Sequence, residues 1–105
     1  MKFSQEQMAH YKEKMRKQIF FLLLIVDPET KDDYKEVNVF DAFSNVLRTF
    51  EGYNDLIGCP VEMVTVLSML NAARLELDKT EFDFSVYRKL ILDAGSEVLK
   101  IKEVM

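Results

Sequence analysis

The chain has 105 residues, enough for one domain that buries roughly two-thirds of the surface its unfolded form would expose. Fourteen Lys and Arg against 18 Asp and Glu give a net charge of −4, which argues against a duplex-DNA binder whose affinity rests on many phosphate contacts. Three Gly, two Pro and eight Phe in a 49% hydrophobic composition exclude a disordered or low-complexity chain, and the single cysteine, Cys59, excludes an intramolecular disulfide and points to a reducing, cytoplasmic setting.

The first element expected is a helix over about 4–26. Ser4 with Gln7 three residues on forms a capping box, and Phe3 can reach Met8 as a hydrophobic staple. Met8, Tyr11, Met15, Ile19, Leu22 and Val26 then recur at three- or four-residue steps, which gives one apolar stripe. From Ile19 to Val26 all eight residues are apolar, so the last turns are expected to be covered by protein on every side. Asp27-Pro28 ends the helix, because the residue before a proline is pushed out of the helical region. Lys12, Lys14, Arg16 and Lys17 precede the octet as they would in an export signal. The octet is far short of the ~20 residues that span a bilayer, no small-residue cleavage site follows, and Asp27-Pro28-Glu29 comes directly after it. The reading is a buried helix with no membrane role.

Residues 27–37 form an acidic connection carrying Asp27, Glu29, Asp32, Asp33 and Glu36. It lacks the glycine that an EF-hand calcium loop requires, so a solvated loop or short helical turn is expected. A second helix follows over about 38–57. Asn38 is its cap and Asp41 faces its positive end. Val39, Phe43, Val46, Phe50, Tyr53 and Ile57 step by 4, 3, 4, 3 and 4, the spacing of a bundle seam. Gly52 is its weak point, and Gly58 with Pro60 ends it.

The third helix, about 60–77, opens at Pro60 with Glu62 in its first turn. Met63, Val66, Leu67, Leu70, Ala73 and Leu77 are its main stripe, yet the reverse side carries Thr65, Ser68, Met69 and Ala72 rather than charge. A helix so sparsely charged belongs in the middle of a structure or under a partner, so it pairs with the Ile19 to Val26 octet as the two central elements. Asp83 is the favoured cap of a fourth helix over about 84–104. Its seam is Phe84, Tyr87, Ile91, Ala94, Val98, Ile101 and Met105, while Leu92 and Leu99 lie well away from that seam with nothing obvious to cover them. Four helices with short connections predict an all-α, antiparallel four-helix bundle; the alternative is a pair of helical hairpins completed by dimerisation.

Chemistry is sparse. His10 and Cys59 together cannot supply the four ligands of a structural zinc site, and no metal or cofactor is expected. Cys59, between Gly58 and Pro60 near the amino end of the third helix, is the one candidate reactive thiol. The acids lack an inward-facing pair: Glu51 and Asp55 have helical spacing, but Asp55 points away from the seam. Arg74 falls inside the main stripe of the third helix, where a buried guanidinium needs a carboxylate such as Glu51, escape of its head to water, or a bound anion. The leading expectation is a small non-catalytic helical interaction or regulatory protein, a homodimer or the partner of another protein, with Thr65, Ser68, Met69, Ala72, Leu92 and Leu99 at its interface. Two rivals remain: a ligand-binding or metal-dependent hydrolytic bundle with a polar site near Arg74, and a regulator linked to nucleic acid, although no nucleic-acid contact is expected from the charge.

Overall fold

The computed structural model describes residues 5–101. Helix α1 spans Gln5–Leu24, a 3-10 helix covers Lys31–Tyr34, and α2 (Val39–Leu56), α3 (Val61–Leu77) and α4 (Phe84–Leu99) follow. No strand occurs among the described residues. The expected capping box at Ser4, the staple at Phe3 and the seam residue Met105 lie outside them.

Helix ends are set by nearby atoms. Asn38 caps α2 by accepting the Asp41 N–H at 3.1 Å, and the Asp83 carboxylate caps α4 by accepting the Ser85 N–H at 2.9 Å. Helix α2 runs through Gly52 and stops at a Schellman closure: Gly58 is left-handed at φ 89°, and the Cys59 N–H reaches back to the Asn54 carbonyl at 2.8 Å. Helix α1 closes at Leu24, before position 26, because the Val26 N–H turns to the Leu23 carbonyl at 3.1 Å, one residue nearer than the helical ladder requires. Helix α4 closes at Leu99 instead of running on to 104.

The helices form a ring in which α1 packs on α2, α2 on α3, α3 on α4 and α4 on α1. Neighbours run antiparallel: Tyr11 near the start of α1 meets Tyr53 near the end of α2 with ring centroids 5.0 Å apart, and Lys12 of α1 bonds the far end of α4. The result is an antiparallel four-helix bundle of 44 × 23 × 19 Å. Its core takes Met15, Ile19 and Leu22 from α1, Phe43, Val46 and Phe50 from α2, Met63, Val66 and Leu70 from α3, and Tyr87, Ile91, Ala94 and Val98 from α4. The octet and the third helix do not pair at the centre as expected. In a four-membered ring no helix is central, α1 and α3 are not neighbours, and each keeps an outward face. Within the octet Ile19, Leu22, Leu23 and Ile25 are buried, but Phe20 is 51% exposed.

Tyr87 is the largest fully buried side chain. Phe43, Phe82 and Phe84 surround its ring, with centroids 6.1, 5.8 and 6.3 Å away, and its hydroxyl donates to the Leu22 carbonyl in the last turn of α1. That carbonyl belongs to the set a helix terminus leaves without its own donors. Lys12 returns the service: its ammonium donates to the Leu99 carbonyl at 3.1 Å and the Ile101 carbonyl at 2.9 Å, at the end of α4. Burial pushes the Tyr87 phenol well above the ordinary tyrosine range. The folded state therefore prefers the neutral form, and this contribution is fully present below the ordinary phenol pKa of about 10 and lost as pH rises beyond it. Tyr87→Phe should keep the ring packing but strand a buried carbonyl, costing about 1–3 kcal/mol in urea unfolding at neutral pH, and should weaken the alkaline loss of stability. An unchanged midpoint would show that the hydroxyl contributes nothing.

Candidate functional site

Among the described residues, two apolar surfaces stand out once the core is filled. One is the outward face of α3, where Val61, Val64 and Leu75 are 74, 59 and 62% exposed, with exposed Ser68 and Asn71 between them. These positions follow helical spacing along about 21 Å of axis. No charged side chain interrupts the face, and Leu56 at the end of α2 is also exposed. The other surface is a groove of about 800 Å³ between α1 and α4. Ile19, Phe20, Phe21 and Leu24 form one wall, Ile91 and Leu92 the other; Gly95 and Ser96 continue the α4 side, and Glu13, Arg16 and Lys17 stand at the rim. A second depression, of about 540 Å³ between α1 and α2, is more polar and includes Gln18, Asn38, Asp41 and Asn45.

The expected interface residues are distributed as follows. Leu92 lines the α1/α4 groove, Leu99 is exposed beyond it, and Ser68 sits at the middle of the exposed α3 face. Thr65, Met69 and Ala72 are half-buried. They precede Glu76 by eleven, seven and four residues and so share its side of α3, and Glu76 accepts the Asp83 N–H at 3.2 Å at the start of α4. That half-buried stripe therefore faces α4, and its small members let the two helices close on each other. Val61, Val64 and Leu75 are not singled out by composition, because a sparsely charged helix reads as a covered one. The signal that finds them is their mutual spacing opposite the Met63, Val66, Leu70 seam.

Arg74 makes no ion pair among the described residues, with Glu51 or any other acid, and its covered Nε has no hydrogen-bond partner. The other covered polar atoms without partners, Gln18 Oε1, Asn54 Oδ1 and Glu62 Oε2, do not complete a site with it. Glu62, for instance, lies twelve residues away on the same helix, about 18 Å. Neither groove includes Arg74. Cys59 is exposed and sits at φ 54°, uncommon for a residue with a side chain. Its Sγ lies 4.0 Å from Asp55 Oδ1, an acid rather than the basic partner that nucleophilic catalysis uses. His10 is exposed. Among the described residues no three His, Cys, Asp or Glu side chains gather as a metal site requires, and no helix is long and apolar enough to cross a membrane.

Among the described residues the one buried charge is Glu76, held by Lys79 Nζ at 2.7 Å and by the Asp83 N–H. Those two donors, the ammonium foremost, keep its carboxyl below the usual glutamate range. Its stabilising effect is present above the unfolded pKa and lost as pH falls through the folded one. Glu76→Gln should flatten the acid limb of the stability curve below pH 4.5, and an acid limb identical to that of the parent would contradict this role. Arg74→Met should raise stability by about 1 kcal/mol, since it removes a covered donor that has no partner. A clear loss in thermal unfolding would mean that the guanidinium is satisfied.

Comparison with known proteins finds no matching family, no matching curated protein and no matching solved structure.

Proposed function

We propose that the protein is a small, non-catalytic interaction protein of the cytoplasm that works as a homodimer, the outward face of α3 forming the contact between copies. The observation that carries this reading is the uncharged stripe Val61, Val64, Ser68, Asn71 and Leu75, exposed along most of one helix. Valine and leucine exposed along one uncharged helix face favour a covering surface over water. A second copy of the same chain suits it on two counts. Two molecules of net charge −4 repel each other least across a face without charges. Ser68 also lies at the midpoint of the stripe, so a two-fold axis there sets Val61 of one copy near Leu75 of the other and lets the helices approach through a small residue.

Size-exclusion chromatography with light scattering at micromolar concentration should give twice the chain mass, and Val64→Glu should return the chain to monomer with its helical content intact. A parent protein that stays monomeric throughout the micromolar range defeats this reading.

A further inference from the structure

The geometry points to the α1/α4 groove as a docking site for an amphipathic helix from a partner protein, one that carries acidic residues beside its apolar face. This inference concerns a different face from the α3 contact and does not depend on it. The groove follows α1 from Glu13 to Leu24, about 16 Å, which matches three turns of a docked helix. Its apolar lining is open rather than enclosed: Phe20 is 51% and Leu92 36% exposed. A site for a small ligand would bury most of its occupant, whereas an open trough between two helices is the shape that accepts the apolar face of a third. Gly95 widens the trough at its middle. A Cβ there would meet only Ile19 Cγ2, at 4.0 Å, so the absent side chain is room left for an occupant rather than space demanded by α1.

Charge selects the partner. Helix α1 carries Lys12, Lys14, Arg16 and Lys17 against Glu6 and Glu13, a positive element in a chain of net charge −4. Lys12 is committed to the end of α4, and Lys17 is paired with Glu13 at 3.2 Å. Arg16, at the rim of the groove, has no ion pair among the described residues and is exposed. An acid on the docked helix would meet it beside the apolar contact, and a basic amphipathic helix would be rejected there.

The test is selection of the full chain against a displayed library of helical peptides of about three turns, with Leu or Phe fixed at i, i+3, i+4 and i+7 and the flanking positions random. Enriched peptides should be acidic at those flanks and should bind in fluorescence anisotropy with micromolar Kd. Affinity should fall roughly tenfold or more with Arg16→Glu, and a peptide whose acids are changed to Lys should recover on that variant. Gly95→Leu should block binding; Leu92→Glu, at a partly exposed position on the groove wall, serves the same end if Gly95→Leu is poorly folded. The inference fails if no peptide is enriched over the Leu92→Glu protein, if the winners are basic, or if binding ignores Arg16. It fails equally if dodecanoate, and no peptide, is displaced by these substitutions, since the occupant is then a small amphiphile. If Leu92→Glu splits a dimer that Val64→Glu leaves whole, the occupant is a second copy. Loss of the α3 dimer with peptide binding retained removes the proposed function and leaves this inference standing.

Discussion

The antiparallel pair α1 and α4 is fastened at both ends by side chains that complete each other's helix termini. The Tyr87 hydroxyl serves the Leu22 carbonyl, and the Lys12 ammonium serves those of Leu99 and Ile101. A carbonyl buried without a donor is costly, as that of Leu22 would be, and the more open Lys12 contacts add a second point that sets the register of the two helices. Tyr87 also carries the aromatic cluster with Phe43, Phe82 and Phe84, so the same residue that locks α4 to α1 holds α2 and the approach to α4 against the core. The Thr30 hydroxyl, donating to the Leu24 carbonyl at 2.7 Å, finishes the exit of α1 and turns the chain into the acidic connection.

With that pair locked, the surplus apolar surface has no freedom to rearrange inward. Phe20 and Leu92 face the outer side of the α1/α4 seam while Ile19 and Ile91 beside them are buried. Helix α3 presents Val61, Val64 and Leu75 to solvent because its opposite side and one flank are already taken by the core and α4. Both exposed surfaces follow from arithmetic: in a ring of four helices each can bury only an inner arc, and both the octet of α1 and the whole of α3 are apolar over a wider arc than that. The charges that lie closest to the core serve structure: Glu76 is held by Lys79 and the Asp83 amide, and Lys12 closes the end of α4.

Much of the fold was legible in the residues. The Phe43, Val46, Phe50 seam and the Tyr87, Ile91, Ala94, Val98 seam both read as heptad spacing and both lie in the core. The caps at Asn38 and Asp83 were legible because a short polar side chain reaches a backbone N–H two or three residues on. Less could be read of the surfaces. Leu92 and Leu99 stood apart from their seam, but Thr65, Met69 and Ala72 look no different in sequence whether α4 or another molecule covers them, and Phe20 looks as buried as Ile19.

The sequence by itself determined the helices, their seams and most of their ends, because periodicity and capping involve residues within about four positions of one another. Only the tertiary structure decided the order of helices in the ring and the partners of Lys12 and Tyr87, which lie 87 and 65 residues away. It also decided which apolar side chains stay in water. That depends on the arc each helix offers its neighbours, a property of the packed assembly that no single stretch of chain contains.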